Sequence, residues 1–590
     1  MRKTVTVLCV LLSALTLFAG TRLDSEKPEA PYDAICYGLF DNQSLTVTST
    51  ARFGDKAYPV GETSGKWSVY IPEFFQPKNS LVIILIPDGI SAYDFARSET
   101  GKAWIGKADE TQDFAVAFIE AEDAGTWNVK EEEGKRDEAA FLRAAFVALR
   151  NKDELVNAFI SVDKNCVSLV GYEEGAVAAA IAASAWPQHF SNLTLVSPTS
   201  YEGETIEFWL SQGIFPYATD NLNGYDPDYK AGMVAMPLYV YPGEDKAAAE
   251  AYLEKWAEIN RNAVNPDTSR EKDLEVSKRL QRSDVNTLYE GISANGRFMG
   301  YPGGTIRSTF GRYDGRKLTQ VEEYIDGYLR RYFVYTPDRY YSQGGPVPLV
   351  LCMHGSSAST YDIPEESRWM DVADEYGFIV AFPQGYMATV AAKNPIPAWY
   401  SLPTEDGTET DVDFLARIVK EVSKEWDINP ERVYLTGHSM GSMMTQKTAV
   451  SDKGTIFAAF GPVGYALNAG AENADGRVLP MNFFKGQYDL TGNDIISDET
   501  EKDAFDYWGA YHGIAARDEG TKTERINKDI GKFVTTSFSI NKVPVVSYTQ
   551  VSSSPHVYMP EEAELLWDFF SHWTRGADGT SYYDGEPVEL

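Results

Sequence analysis

Arg432-Val433-Tyr434-Leu435-Thr436-Gly437-His438-Ser439-Met440-Gly441 passes from an apolar, β-prone run into a serine held between glycines, and Met443 to Val450 (MMTQKTAV) continues it as a helix-capable stretch. A strand that turns directly into a helix at a serine needs small residues on both sides, because the two backbones approach closely there. Gly437 and Gly441 meet that need. Glycine is common enough for the bare G-x-S-x-G spacing to arise by chance. Its weight therefore comes from the strand before it and the helix after it, the setting in which such a serine stands exposed at the edge of a sheet.

On either side of this turn, Pro348 to Met353 (PLVLCM) and Phe378 to Phe382 (FIVAF) are short and almost wholly apolar. Runs of this kind suit strands covered by helices on both faces, whereas a half-solvated strand alternates. Asp413 to Trp426 (DFLARIVKEVSKEW) instead repeats Phe414, Ile418, Val419, Val422 and Trp426 at helical spacing. Strands alternating with helices predict an α/β fold with a mostly parallel, doubly wound sheet.

The N-terminal half repeats this order. Val69-Tyr70-Ile71-Pro72 matches Val334-Tyr335-Thr336-Pro337 at offset 335 − 70 = 265, and Phe114 to Phe118 (FAVAF) matches Phe378 to Phe382 at 378 − 114 = 264. Val167-Ser168-Leu169-Val170-Gly171 matches Val433 to Gly437 at 437 − 171 = 266. Leu81 to Ile86, followed by Pro87-Asp88-Gly89, matches the strand leading into His354-Gly355 with 354 − 88 = 266. Four matches in near-constant register predict two copies of one fold. The expected organisation is a first domain over 31–298, a second over 299–575 and a frayed acidic tail over 576–590 (GADGTSYYDGEPVEL).

A serine hydroxyl attacks only when a histidine takes its proton, and an acid must hold that histidine in the right tautomer. The chain has 6 histidines, which permits elimination. His189 belongs to the other copy, His354 opens the loop after the first strand, His438 adjoins the serine, and His572 lies in an amphipathic C-terminal helix. His556 follows the strand-like run Val543 to Val551 and a short loop, which places it at the ligand-binding edge of an open α/β sheet. His512, in an aromatic stretch with no strand before it, is the runner-up. For the acid, Asp489 leaves the buried run Met481 to Phe484 through Lys485-Gly486-Gln487-Tyr488, with Asp494 as the alternative. The order Ser439, Asp489, His556 is nucleophile, acid, base. The N–H groups of Met440 and Ser356 are the expected oxyanion donors, with His354 serving as a loop element. Trp399 and Tyr400, in a Pro-bounded loop, are candidates for stacking on a sugar or phenolic ring, or for packing.

These residues resemble the esterase/polyhydroxybutyrate depolymerase family of the α/β-hydrolase superfamily, which includes secreted feruloyl and acetylxylan esterases. The resemblance covers about Tyr332 to Trp573 and rests on RYFVYTP, LVLCMHG, the passage from Trp399 to Asp411, Asp413 and Phe414, DINPERVYLTGHSMG, KGQYD, and the PH that precedes the WDFF helix. Together with the internal repeat it implies two tandem α/β-hydrolase-like domains, and it puts the family's nucleophile, acid and base on Ser439, Asp489 and His556. Family members often carry HG-Cys-x-Gln after the first strand, where this chain has His354-Gly355-Ser356-Ser357-Ala358.

In the first copy the serine position holds Glu173, within Gly171-Tyr172-Glu173-Glu174-Gly175, and no histidine occurs between His189 and His354. That copy is expected to be non-catalytic, a docking surface or structural companion. The leading expectation is thus a secreted serine carboxylic ester hydrolase acting through an acyl-enzyme on esters of plant polysaccharide or a similar polymer. A polyhydroxybutyrate depolymerase, a secreted serine peptidase with the same triad, and a non-catalytic interaction protein are the alternatives.

The remaining features bound this reading. At 590 residues and 43% hydrophobic composition, the chain can fill two cores. With 53 Lys and Arg against 86 Asp and Glu, its net charge of -33 repels phosphate backbones, so nucleic acid is not an expected partner and strongly anionic substrates are disfavoured. Arg2 and Lys3, an apolar run from Val5 to Phe18 and small residues at Ala19 and Gly20 predict a secretory signal over 1–20, and with it an extracellular or periplasmic location and no other membrane contact. Beyond the signal, Cys36, Cys166 and Cys352 form no disulfide framework. No metal cluster, phosphate loop or dinucleotide fingerprint appears, so no cofactor is expected; the oligomeric state is left open.

Overall fold

The computed structural model describes residues 37–48, 52–53, 56–57, 62–73, 79–129, 135–150, 162–201, 203–214, 226–263, 277–294, 296–299, 306–309, 312–325, 328–356, 358–388, 396–401, 409–467, 469–473, 476–486, 499–514, 521–527, 531–551, 556, 558 and 561–590. The expected signal segment 1–20, Cys36, Asp489 and its alternative Asp494 lie outside these residues. The chain falls into two compact units, one within Asp33–Arg316 and the other made of Lys317–Ala388 with Ile396–Leu590. The expected boundary near 299 lies inside the first unit, where the strands Gly296–Met299 and Ile306–Thr309 pair as a hairpin.

The first unit is built on an eight-stranded sheet: β1 (Gly38–Thr48), β2 (Glu62–Ile71), β3 (Asn79–Leu85), β4 (Phe114–Ile119), β5 (Val162–Tyr172), β6 (Asn192–Val196), β7 (Leu238–Tyr241) and β8 (Ser277–Arg279), in the order β1-β2-β4-β3-β5-β6-β7-β8. The β1-β2 and β2-β4 pairs are antiparallel, and all the others are parallel. The apolar runs are buried from both sides. Trp67, Val69, Ile83, Leu85, Ala117 and Leu169 face one core, shared with helices α1 (Glu138–Arg150) and α2 (Glu174–Ala185), while Val82, Ile84, Val116 and Phe118 face a second core with Phe95 and Trp104.

The second unit repeats the plan and extends it. Its strands are β9 (Leu318–Ile325), β10 (Tyr328–Tyr335), β11 (Val347–Met353), β12 (Ile379–Pro383), β13 (Ile428–His438), β14 (Ala459–Val463), β15 (Met481–Gly486), β16 (Thr521–Asn527), β17 (Gly531–Ile540) and β18 (Val543–Val551), in the order β9-β10-β12-β11-β13-β14-β15-β18-β17-β16. The seven strands from β9 to β15 reproduce the order of the first seven in the first unit. Beyond β15 the sheet grows by β18, parallel to it, and the antiparallel strands β17 and β16. Both units are therefore α/β-hydrolase-like, each a mostly parallel sheet with helices on its faces. Helices α3 (Trp369–Tyr376) and α5 (Glu562–Ser571) pack on the β13 side through Trp369 stacked on Phe570 at 5.9 Å and Phe570 stacked on Tyr434 at 4.9 Å.

Strand pairing corrects one of the four repeat offsets. Leu81 pairs with Val167 and Leu349 with Val433, so β3 and β11 correspond at 349 − 81 = 268, two residues away from the sequence match, while β5 and β13 correspond at 433 − 167 = 266. Ile86 is thus the counterpart of His354, and Asp88 that of Ser356. A slip of two preserves which side chains face which core, so hydropathy alone cannot detect it.

The C-terminal tail is also corrected. Trp573–Arg575, Ser581–Tyr583 and Glu586–Val588 form a three-stranded antiparallel sheet. Arg575 is buried, donating to the carbonyls of Phe457 (2.7 Å), Val478 (2.8 Å) and Gly579 (3.0 Å), and the Ser581 hydroxyl donates to Val478. A buried guanidinium with carbonyl acceptors outweighs the acidic, glycine-rich composition that suggested fraying. No helix among the described residues is long and apolar enough to cross a membrane.

Candidate active site

Ser439 ends β13 and begins helix α4 (Met440–Val450) with φ 55° and ψ −111°, a left-handed backbone that a side chain adopts only under constraint. Packing supplies the constraint. A Cβ on Gly441 would lie 2.7 Å from the His354 carbonyl oxygen and 2.8 Å from that of Met353, so the first turn of the helix rests directly on the end of β11. A Cβ on Gly437 would lie 2.7 Å from Gly441. The Ser439 N–H is held by the Val463 carbonyl at 2.9 Å, which fixes the bend from the β14 side.

Met440 is the first residue of the helix, so its N–H has no intrahelical acceptor. Ser356, half-buried, follows Gly355, where a Cβ would stand 3.3 Å from Ser439 Cβ. Met440 thus directly follows the serine at the end of β13, and the backbone at Gly355, just past β11, runs close beside it. His354 is fully buried. Its Nε2 accepts the Gly385 N–H at 3.0 Å, which leaves Nδ1, 2.7 Å from the Gly355 carbonyl, to donate. Both of its ring nitrogens are thus engaged by backbone.

His556 lies against the serine-bearing turn. Its ring centroid is 4.7 Å from that of His438, the residue before Ser439. Both rings crowd Gly464 (φ 81°), where a Cβ would stand 3.1 Å from His438 Cδ2 and 3.1 Å from His556 Cε1. The loop is anchored two residues on, at buried Tyr558, whose hydroxyl accepts the Trp369 indole N–H at 2.8 Å and lies 3.5 Å from Thr436, on the strand leading to the nucleophile. Tyr558 and Gly464 were not singled out in the sequence; the close PH-x-Y spacing was the one available signal.

The runner-up, His512, is buried away from this site. Its Nε2 accepts the Leu479 N–H at 2.9 Å, its Nδ1 lies 2.8 Å from the Trp508 carbonyl, and burial pushes its pKa down to about 4. An imidazole held neutral with both nitrogens occupied is a packing residue. His572 caps α5 and bonds Asp584 at 2.6 Å.

Trp399 and Tyr400 are corrected. Neither is exposed for stacking: Trp399 is fully buried and Tyr400 is 5% exposed. The Trp399 indole N–H donates to the His354 carbonyl at 2.8 Å, with the two rings 4.7 Å apart. The Tyr400 N–H donates to Asp411 at 2.7 Å. Asp411, also buried, is the first residue of the helix Asp411–Glu425, which Thr410 caps, and it accepts from Arg330 at 2.5 Å. Burial raises its carboxyl to about 6 against the pull of Arg330 and the Tyr400 N–H. The free thiol of Cys352 is buried too, which pushes its pKa up. No cluster of three metal-ligating side chains occurs among the described residues.

The first unit makes the same turn without the serine. Glu173 has φ 54° and ψ −116°, and its N–H meets the Val196 carbonyl at 2.9 Å. A Cβ on Gly175 would lie 2.3 Å from the Leu85 carbonyl oxygen and 2.6 Å from that of Ile86. Glu173 is exposed, and Asp88, at the place of Ser356, accepts the Trp127 N–H at 3.0 Å while partial burial holds its pKa above the usual carboxylate range.

Residues 332–476 match the family described as Esterase PHB depolymerase. The chain is 26% identical over 229 residues to the bifunctional acetylxylan esterase/xylanase XynS20E of Neocallimastix patriciarum, covering 38% of this chain and 31% of that protein. It is 27% identical over 179 residues to feruloyl esterase B of Talaromyces funiculosus, covering 30% of this chain and 48% of that one. The chain thus spans between about a third and a half of the length of these relatives. Among solved structures, the acetyl xylan esterase from Aspergillus awamori aligns with 43% of this chain and 99% of its own, at 16% identity and a TM-score of 0.34.

Proposed function

We propose that the second unit, whose residues 332–476 match the esterase PHB depolymerase family, is a serine carboxylic ester hydrolase. The observation that carries this reading is the left-handed turn at Ser439 together with the His556 ring, which lies 4.7 Å from that of the preceding His438. In this reading His556 takes the Ser439 proton as the hydroxyl oxygen attacks the ester carbonyl. The tetrahedral oxyanion is met by the N–H groups of Met440 and Ser356. His556 returns the proton to the leaving alkoxide, and water, deprotonated by the same histidine, releases the acid from the acyl-enzyme. Asp489, which follows the end of β15 by three residues, is the proposed acid that orients His556.

The proposed substrates are acetyl or feruloyl esters on polysaccharide, in line with the acetylxylan esterase and feruloyl esterase named among the relatives. The signal-like first 20 residues support export, and the net charge of -33 favours a neutral polymer over an anionic one. The proposed first domain is non-catalytic for an electrostatic reason. The serine is replaced by Glu173, and the Asp88 carboxylate stands at the place of Ser356, so a developing oxyanion there would meet negative charge beside the backbone N–H groups.

Release assays on acetylated xylan, methyl ferulate, hydroxybutyrate oligomers and aminoacyl amides test the assignment. Turnover of the first two that disappears in Ser439→Ala is the expected result. Full activity in that variant would overturn the esterase reading, and preferential cleavage of oligomers or amides would overturn the substrate class.

A further inference from the structure

We propose that Trp399, carried by the buried Arg330–Asp411 pair, is a positioning residue that sets the backbone of the oxyanion loop; this rests on the esterase reading above. The contacts form a continuous chain. Arg330, on β10, meets the Asp411 carboxylate at 2.5 Å. Asp411 accepts the Tyr400 N–H at 2.7 Å and its own N–H meets the Tyr400 carbonyl at 3.1 Å, so the loop is held from both sides. Trp399, next in line, donates its indole N–H to the His354 carbonyl. His354 lies two residues before Ser356, the proposed donor, and its carbonyl is also what the missing Cβ of Gly441 makes room for. One buried carbonyl therefore registers the oxyanion loop against both the Trp399 loop and the nucleophile helix.

The same device stands in the first unit. The Trp127 indole N–H donates to the carbonyl of Ile86, the counterpart of His354, again at 2.8 Å. The Asn128 N–H donates to Glu138, the first residue of α1, at 3.1 Å, and Glu138 pairs with Arg136 at 2.7 Å with both side chains buried. Each guanidinium lies over the phenylalanine three positions after its carboxylate, Phe141 at 4.1 Å and Phe414 at 3.8 Å.

The two arginines come from different places in the chain. β2 and β10 correspond at 333 − 68 = 265, since Ser68 pairs with Phe118 and Phe333 with Phe382, so the counterpart of Arg330 is Gly65. A Cβ on Gly65 would stand 2.6 Å from Arg136 Nη1. The guanidinium thus fills the same space whether it arrives from the strand or from the loop before the helix. A buried ion pair is costly to desolvate, and keeping one while changing its source means that the site needs that charge beside the carboxylate.

Steady-state hydrolysis of 4-nitrophenyl acetate by the full chain tests this. Trp399→Phe keeps an aromatic ring beside His354 while removing the indole N–H together with the five-membered ring that carries it. Removal of one oxyanion donor costs about 10²–10³ in kcat, and displacing a donor should cost less, on the order of tenfold. The expected result is that loss in kcat with KM within twofold, an equal loss in affinity for a boronic-acid transition-state analogue, and a melting temperature lowered by only a few degrees, since one buried carbonyl loses its donor. Asp411→Asn should act in the same direction, and it carries the comparison if Trp399→Phe does not fold. Trp127→Phe, the matched change in the first unit, should leave kcat and KM alone. Unchanged kcat in both second-unit variants, or a rise in KM alone, would overturn the proposal. Ser439→Ala separates the two claims. If it stays active the esterase reading fails, and if it is inactive while both second-unit variants are unaffected only the positioning role fails.

Discussion

Glu173 and Ser439 sit at the same bend, φ 54° against 55° and ψ −116° against −111°, each tied by its N–H to the neighbouring strand at 2.9 Å and followed by a glycine pressed onto two carbonyls. The chemistry around them differs at every point that matters. Pro87-Asp88 stands where Gly355-Ser356 stands, and Ser197 (φ 51°) occupies the place of Gly464 (φ 81°), the residue whose missing side chain leaves room for His438 and His556. The strained turn therefore does not depend on catalysis. It is a product of how the helix start packs on the ends of two strands, and that packing has outlasted, or preceded, the serine.

The most severe way to test the contrast is to remove the hydroxyl from one bend and place one on the other. Ser439→Ala should lower kcat/KM for 4-nitrophenyl acetate by a factor on the order of 10⁴ or more. Glu173→Ser, which puts a hydroxyl on an equivalent bend, should yield neither turnover nor a fluorophosphonate adduct at position 173 by mass spectrometry. An adduct there would show that the first unit retains a base and donors, and the contrast would fall.

Packing comes next. Gly441→Ala and Gly175→Ala each drive a methyl into backbone carbonyls, at 2.7 Å and 2.3 Å, where nothing flexible can yield. Each should destabilise its own unit by about 3 kcal/mol, with the shorter contact costing more. Hydrogen exchange followed by mass spectrometry reads the units separately. Loss of protection in α4 for one variant and α2 for the other is expected, and full protection in either would show that packing does not hold the bend.

How much of this was legible in the sequence follows from the range of the interactions. The elbow was legible because Gly437, Ser439 and Gly441 are neighbours in the chain, and the position of His556 close to His438 because a strand-like run precedes it. The burial of Trp399 was not, since a Pro-bounded aromatic loop has no periodicity and its anchor, Arg330, is 81 residues from Asp411. The order of the tail was hidden for the same reason: Arg575 binds carbonyls 118 and 97 residues away. Asp88 was placed two residues off because a slip of two leaves every core-facing side chain on its own side.

Acid sharpens the difference between the units through His512, which the first unit does not have at the corresponding place. Its folded pKa, about 4, lies below the ordinary value of 6.5, so the unfolded chain binds the proton more tightly. The stability that the neutral imidazole allows is complete above pH 6.5 and is lost as pH falls toward 4, by at most about 3 kcal/mol. Asp411 works in the opposite sense, because a carboxyl raised to about 6 favours the folded state as pH falls from 6 to 3.8. The difference in melting temperature between wild type and His512→Gln isolates the first effect. It should shift against the wild type between pH 7 and 4.5, and a constant difference would mean that His512 is not held neutral.

The smallest expected effect bears on the bend itself. A non-glycine residue in left-handed backbone carries strain of about 1–3 kcal/mol, and glycine relieves it while making the unfolded chain more flexible. Glu173→Gly should therefore gain about 1 kcal/mol for the first unit and leave hydrolysis by the second untouched. Ser439→Gly should gain a similar amount in the second unit while abolishing turnover. Chemical denaturation of the two variants beside wild type makes the comparison. Equal gains would show that both turns store the same strain and that only one of them uses it; no gain at Glu173 would mean that the first unit holds its turn by contacts of the glutamate side chain, and the likeness of the two elbows would be one of shape alone.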